Sequence, residues 1–302
     1  MVKDECDIIE LFVKINSRMV DHMFVVDHNS RDGTLEILKQ LKELHYPLTI
    51  YRSDDPDFPQ AKVLSTVARR VAATNEYAFL VPLDADEFIY CEHGKFADLL
   101  AQEIPPGGCG QLPWVTYVPS EGDYYASSAP LYNIFRKRCY EPTQLYKVVI
   151  PNEMAKTCII SAGSHVVAFN SRVIPATTLS ATLQHCPIRS IDQITAKGII
   201  GSHRLSIKVG RLETEGYHWD LMAEQIRRAN FGLSHADMLS MALNYLAEGV
   251  SDLSVVATAP RIGGPNDSIE MVDLSKIRLF KKLDQFMADL CAELGPKRAL
   301  TN

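Results

Sequence analysis

Apolar positions along this chain follow two different periods. In Asp7–Met19 they fall at Ile8, Leu11, Phe12, Ile15 and Met19, the spacing of one buried helix face. His22–Val26 is a short β-type run. The polar stretch Asp27–Thr34 separates it from a second helical stripe at Leu35, Leu38, Leu41 and Leu44. Ser30 and Asp32 are both of the types that cap a helix N-terminus. Leu48–Tyr51 predicts a strand, Arg52–Pro59 a loop broken by Pro56 and Pro59, and Gln60–Ala73 a third helix. Tyr77–Leu83 is apolar throughout and too short for a helix, which predicts a strand buried on both faces. Pro82 lacks an N–H for a ladder, but it sits at the strand end, where a bulge tolerates it. Strands alternating with helices predict βαβ units and a parallel sheet.

After Phe88 the pattern changes. Lys95–Leu100 predicts a short helix, and Pro105–Gly108 a sharp break. Gln111–Val118, Tyr132–Arg136, Tyr146–Ile150, Cys158–Ile160, Val166–Phe169 and the run before His185 predict shorter strands, antiparallel ones beside the parallel set. Ile191–Ile199 returns to helical spacing. From Ser206 onwards the chain predicts helices at Leu221–Arg228, Met238–Ala247 and Lys276–Leu294, with a loop at Gly263–Asp267. The expected organisation is an α/β domain over residues 1–205, a mixed sheet flanked by helices, and a mainly helical C-terminal extension over 206–302.

Composition narrows the function classes. With 46% hydrophobic and 23% charged residues, the chain has an ordinary globular composition. A net charge of −6 argues against a general nucleic-acid binder, so a phosphate-bearing ligand needs a local basic site or a metal. The seven cysteines are odd in number and include no C-x-x-C pair. They read as reduced core residues of a cytoplasmic protein, not a disulfide frame or zinc site. Met1–Glu5 lacks the apolar segment of a signal peptide, and no run approaches the ~20 residues of a spanning helix. No transmembrane segment is expected; peripheral membrane contact stays open.

The chemistry concentrates where Tyr77–Leu83 runs into Asp84-Ala85-Asp86-Glu87. In extended chain, Asp84 and Asp86 point to the same side. Two close carboxylates repel each other and are costly to desolvate, and a divalent cation removes that cost. Ligands of open α/β sheets bind beyond the carboxyl ends of the strands. The plainer alternative makes Asp84 a turn residue and leaves the others solvated. A second candidate is the loop Val26–Thr34, which passes from a strand to a helix N-terminus, an anion-binding geometry. There Asp27 is placed to accept hydrogen bonds from a base or ribose, while Ser30 and Gly33 read as turn and cap residues. Arg189 and Lys197, beside the next helix, suit a diphosphate held by fixed cations, or else surface ion pairs.

These stretches carry a resemblance. Asp27-His28-Asn29-Ser30-Arg31-Asp32-Gly33-Thr34 resembles the D-x-x-S-x-D-G-T loop of family 2 glycosyltransferases, and Asp84–Phe88 resembles the D-x-D-E-F motif of one branch. Lys3-Asp4-Glu5 is similar to that branch's K-N-E opening, with Asp4 where Asn is usual. His185-Cys186-Pro187-Ile188-Arg189-Ser190, followed by Gln193 and Lys197, is similar to its H-Y-x-x-R-S signature. The order fits over about residues 3–205. The resemblance implies a GT-A fold, Rossmann-like, with a nucleotide-binding part over about 1–90 and an acceptor part over about 91–205. It implies sugar transfer from a nucleotide-sugar donor, by family default a UDP-sugar, to a saccharide or other hydroxyl acceptor, with Mn²⁺ or Mg²⁺ and with inversion. Asp86 would bind the metal, Asp84 the metal or ribose, Asp27 the base, and Asp4 and Glu5 would lie near the nucleoside. His185 would complete the metal site, with His165 as rival. The general base for the acceptor hydroxyl is sought at Glu121 and Asp123, ahead of Asp220, and Trp114 is either a sugar platform or core packing. The competing readings are a glycosyltransferase-like binding protein that has lost turnover and a nucleotidyltransferase. The latter lacks its Gly-rich basic loop here, and Phe88 disfavours a D-x-D-x-T phosphatase.

Overall fold

The first elements form where the apolar stripes lie. α1 (Ile9–Asn16) buries Ile9, Leu11, Phe12 and Ile15, and β1 (Met23–Asp27) follows it. α2 (Thr34–Glu43) buries Leu35, Leu38 and Leu41. Its entry needs Gly33 at φ 103°, a left-handed value that suits glycine. Asp32, not Ser30, closes this helix start: its Oδ1 accepts the Thr34 N–H at 3.0 Å and the Thr34 hydroxyl at 2.6 Å. The computed structural model describes residues 1–53, 60–119, 135–138, 141, 143–206, 216–245, 255–256, 262–264, 267–272 and 287.

Along the chain there follow β2 (Leu48–Arg52), α3 (Gln60–Ala72), β3 (Phe79–Leu80), β4 (Glu87–Tyr90), α4 (Phe96–Glu103) and β5 (Cys109–Pro119). Next come β6 (Phe135–Arg138), β7 (Tyr146–Pro151), the one-turn α5 (Asn152–Ala155), β8 (Ile159–Ile160), β9 (Val167–Phe169), β10 (Arg172–Val173), β11 (Ala176–Thr178) and β12 (Thr182–His185). α6 (Ile191–Ser206), α7 (Tyr217–Arg228), α8 (His235–Leu243) and β13 (Val255–Val256) complete the described elements. The expected helix over Lys276–Leu294 lies outside the described residues.

The architecture is mixed α/β. β1 and β2 pair in parallel, as the alternating pattern implies. A curled mixed sheet is organised on β5, which changes neighbours halfway along its length. Its first half pairs antiparallel with β7 and parallel with β11; its second half pairs parallel with β12 and antiparallel with β6. β12 in turn pairs antiparallel with β4, and this sets the D-x-D-E-F strand beside the strand that ends in His185.

One expectation changes. The run Tyr77–Leu83 is not a strand buried on both faces: only Phe79 and Leu80 join a ladder, to β7, and both are half-buried. Ala78 is exposed and Tyr77 and Phe79–Leu83 are half-buried, so the run lacks the cover that helices give both faces of a central strand. In its described part, the extension after residue 205 packs on the α/β domain. α7 and α8 share one apolar cluster with Val118, Ile188, Ile194 and Ile199, and β13 adds to the edge of β6. No helix among the described residues is long and apolar enough to cross a membrane. Cys6, Cys91, Cys109, Cys158 and Cys186 are free thiols.

Candidate functional site

The segment Asp4–Asp7, ahead of α1, joins the motif stretches together. Asp4 has φ 53°, in the left-handed region that Asp and Asn enter more readily than most residues. Its N–H donates to Ser30 Oγ at 3.0 Å, and its Oδ1 accepts the Arg31 N–H at 2.8 Å. The Glu5 N–H donates to Thr34 Oγ1 at 2.9 Å and the Cys6 N–H to Asp32 Oδ2 at 2.9 Å. The loop after β1 is thus fastened to the N-terminal segment through backbone donors. On its other flank the same segment meets Arg189. The guanidinium donates to Asp7 from Nε at 2.6 Å and from Nη2 at 2.9 Å, and Nη2 also donates to Glu5 at 2.7 Å. Lys197 Nζ, one helix turn into α6 and beyond, lies 3.2 Å from Glu5 and 2.9 Å from Asp86.

β4 is held in register by Asn16 at the end of α1. Its buried amide donates to Glu87 O and accepts the Ile89 N–H, both at 2.9 Å. The β4–β12 ladder places His185 opposite Glu87, and Cys186 N–H donates to Asp86 O at 2.9 Å. The four motif stretches, separated by up to 184 residues along the chain, therefore meet at one place.

The two motif aspartates are not equivalent. The Asp84 side chain is 32% exposed, and that of Asp86 is 6% exposed. Asp84 accepts from Lys147 Nζ and, at 3.1 Å, from Gln60 Nε2. Burial alone would push both carboxyls up. Lys147 outweighs it at Asp84, and Lys197, His185 and Arg189 outweigh it at Asp86, so both are held below the usual carboxylate range. Glu87 is fully buried, 3.2 Å from Lys147, and its carboxylate accepts the Asp84 N–H at 2.8 Å. There burial wins, and its pKa rises to about 8. Burial likewise raises Glu5 to about 7 and Asp4 to about 6.

Trp114 on β5 is buried with its ring stacked on His185, centroids 4.0 Å apart, so it packs an imidazole and offers no open platform for a sugar. Burial lowers His185 to about 4, which keeps the ring neutral at ordinary pH. Its Nε2 lies 3.9 Å from Asp86 Oδ1, and its buried Nδ1 has no hydrogen-bond partner. His165 lies edge-on to Trp114, and its Nδ1 is bonded to Tyr146 O at 2.8 Å. Of the two histidines, His185 is the one that lies beside Asp86. Asp27, at the carboxyl end of β1, is fully buried; its Oδ2 accepts the Ser30 N–H at 3.3 Å and its Oδ1 has no partner.

Arg189 is ion-paired with Glu5 and Asp7. Its guanidinium is enclosed, with donors taken by Asp7, Glu5 and Cys186 O, so it braces the site from behind. Asp220 is hydrogen-bonded to Ser202 on α6 at 2.8 Å. Glu121 and Asp123 lie outside the described residues. Lys147 was not anticipated. The signal for it was a lysine between Tyr146 and Val148 in an otherwise apolar strand, a position that requires a buried partner.

Among the described residues, no three His, Cys, Asp or Glu side chains are disposed to hold a metal ion between them. Asp84 and Asp86 fit a hard cation as carboxylate donors, with the remaining positions left to phosphate oxygens and water, a common mode for Mg²⁺. Compared with models of protein families and with curated proteins, the chain matches none.

Proposed function

We propose that this chain is a metal-dependent glycosyltransferase of GT-A type, acting in the cytoplasm and transferring a sugar from a nucleotide-sugar to a hydroxyl acceptor with inversion. The observation that carries this reading is the meeting of three motif stretches around Glu5, Asp86, Arg189 and Lys197, with the fourth, the Asp27–Thr34 loop, fastened to Asp4, Glu5 and Cys6. The resemblance to family 2 glycosyltransferases supplies the reaction; the geometry supplies the division of labour. Asp27, with an unpartnered buried oxygen beside an anion-suited helix start, receives the base or ribose of a UDP-sugar. Asp84 and Asp86 face the diphosphate side as a ready ionised pair. When bound, Mn²⁺ or Mg²⁺ neutralises the diphosphate leaving group. Lys197, the half-open cation of the cluster, is available to the same phosphates. The acceptor hydroxyl loses its proton to Glu121 or Asp123, which follow β5 directly in sequence.

A second reading rests on one specific observation: both motif aspartates already have lysine partners, as expected of a nucleotide-binding relative without turnover. Calorimetry of UDP with and without Mn²⁺, followed by turnover of a nucleotide-sugar panel, tests both. Because Asp86 is buried among cations, the informative variants are the isosteric Asp84→Asn and Asp86→Asn, with thermal melts as folding controls. The reading expects Mn²⁺-dependent UDP affinity that both variants lose; unchanged affinity refutes it. Affinity without any turnover selects the binding-protein reading. Asp27→Ala should weaken UDP and uridine alike by about 1.5–3 kcal/mol, the worth of a hydrogen bond to a charged group.

A further inference from the structure

The short strands β8, β9 and β10 form an antiparallel sheet of their own, in the order β10-β9-β8. Its register defines two faces. Ile160 pairs with Val167, and both are buried in one apolar cluster with Cys109, Val148 and Ile150. The residues next to them point the other way. Ile159 pairs with Ala168, and Ala168 with Val173, so these three make one row across the outward face. Val166, two residues before Ala168, belongs to the same face. β9 and β10 are joined through Asn170 and Ser171, whose φ values of 48° and 63° are the left-handed pair that a two-residue hairpin turn requires. Phe169 and Arg172 face each other across that turn.

A sheet face that meets water is ordinarily polar. This one carries Ile159, Val166, Ala168 and Val173. Among the described residues six large apolar side chains are exposed, and four of them, Ile159, Val166, Phe169 and Val173, belong to this one small sheet and its lead-in, each between 43% and 64% exposed. Scattered singly they would need no explanation; gathered here they mark an interaction surface. Charge indicates the partner. The chain has 37 acidic residues against 31 basic ones, yet none of the acids lies between Glu153 and Asp192. Cations border the patch instead. Arg172 is exposed at the hairpin turn. Arg69 of α3 reaches β8, its Nη1 3.5 Å from Cys158 O, and Lys62, seven residues earlier, lies exposed on the same side of that helix. Lys156 precedes β8 and is paired with Glu153 at 3.0 Å. A peptide partner would dock on a strand edge. Here Ser65 Oγ already accepts the Ile160 N–H at 2.9 Å along the β8 edge, and β10 is only two residues long. A bilayer needs no strand edge: its acyl boundary takes the apolar side chains and its headgroup phosphates take the cations.

We propose that the β8–β10 sheet is a docking surface for a membrane with anionic headgroups. Ile159, Val166, Phe169 and Val173 enter the boundary between headgroups and acyl chains, while Arg172 and Lys62 meet headgroup phosphates. Val166 directly follows His165, whose ring lies edge-on to Trp114, so docking sets the bilayer beside the candidate site. The surface stands apart from the transferase reading, and its test involves neither nucleotide nor divalent metal.

The experiment floats the full chain with vesicles of phosphatidylcholine mixed with phosphatidylserine, and with vesicles of phosphatidylcholine alone. Binding to the mixed vesicles should be stronger by about tenfold or more, since each basic residue near an anionic surface contributes roughly fivefold. It should weaken as NaCl is raised, because salt screens these contacts. Both comparisons use the unaltered chain. Phe169→Ser combined with Val173→Ser should lower binding to the mixed vesicles by about tenfold or more, from the apolar area kept out of the bilayer. Arg172→Glu should lower it by about fivefold or more and leave binding to phosphatidylcholine unchanged. Thermal melts of these variants should match that of the unaltered chain, because all three positions are exposed. No flotation, equal binding to both kinds of vesicle, or unchanged binding of the Phe169→Ser, Val173→Ser variant overturns the proposal. So does a dimer that forms without lipid and is lost in that variant, which would assign the face to a second copy of the chain.

Discussion

Replacing Arg189 by methionine separates a bracing role from a ligand-binding one. The guanidinium is enclosed, and its donors go to Asp7 at 2.6 and 2.9 Å, to Glu5 at 2.7 Å and to Cys186 O at 3.1 Å. Methionine fills a similar length but withdraws this partner from a buried Asp7 carboxylate. Removing one member of a buried ion pair costs about 3–5 kcal/mol. An unfolding entropy of about 2.1 cal/mol/K per residue, taken over 302 residues, is about 0.6 kcal/mol/K. The midpoint should therefore fall by about 5–8 °C. Arg189→Lys keeps the charge but cannot fork onto Asp7 while reaching Glu5, so its midpoint should fall by an intermediate amount. Thermal melts at pH 7.5 read these shifts, and UDP titration well below the midpoint reads the ligand side. Both variants should bind UDP within a few-fold of the unaltered chain. If Arg189→Met melts within ~1 °C of the unaltered chain and yet loses UDP, the guanidinium serves the ligand and the bracing argument fails.

Lys197→Met should lower UDP affinity about tenfold or more while uridine affinity barely moves; Tm should fall as well, because buried Asp86 loses its nearest cation, and an equal loss for both ligands would contradict a phosphate role. Glu87, raised by burial to about 8, keeps in the folded chain a proton that the unfolded chain gives up near 4.5. Its contribution to stability is fully present below about 4.5 and is lost as pH rises to about 8. Urea titrations from pH 5 to 9 should show that decline diminished in Glu87→Gln; an identical slope would count against a protonated Glu87. His185, lowered by burial to about 4, has the opposite sign: its contribution is present above 6.5 and is lost as pH falls towards 4. His185→Phe should flatten the acid limb of the stability profile, and an unchanged limb would argue that the ring is not buried neutral.

What was legible in the sequence follows from how local each determinant is. The Leu35–Leu38–Leu41 stripe located α2, because helix burial is written in a period of a few residues. Asp84 and Asp86 stood out because a buried run that stops in carboxylates is unusual within a single stretch. The same stretch misled about its own burial. Whether Tyr77–Leu83 is covered on both faces depends on which distant elements pack over it, and no local pattern reports that. For Arg189 the sequence left two readings, a fixed cation for a diphosphate or a surface ion pair. Its true partner, Asp7, lies 182 residues earlier, and only the fold brings them together. Lys147 escaped for the same reason, since the carboxylates that justify a buried lysine come from β4 and the turn before it.

The charge layout of the site also determines the order in which ligands should arrive. Arg189 and Lys147 are enclosed, whereas the side chains of Lys197 and Asp84 are 27% and 32% exposed. Exchange with an incoming ligand therefore takes place at Lys197 and Asp84, and the enclosed cations stay with their carboxylates. A divalent ion arriving alone meets Asp84 already neutralised by Lys147 and Asp86 by Lys197, so it gains little charge stabilisation and faces two ammonium groups. A diphosphate changes that balance. On the proposed function it would offer Lys197 a new anion, free Asp86 for the metal and bring oxygen ligands of its own. Glu5, with a pKa of about 7, can then take up a proton as Lys197 leaves it. Mn²⁺ should consequently bind weakly by itself and at least tenfold more tightly with UDP present, as read by the loss of the free-ion signal in electron paramagnetic resonance titrations. Linkage requires UDP to tighten by the same factor in saturating Mn²⁺. Tight Mn²⁺ binding without nucleotide would mean that the lysines do not hold the motif aspartates in solution, and the ordered scheme would fall.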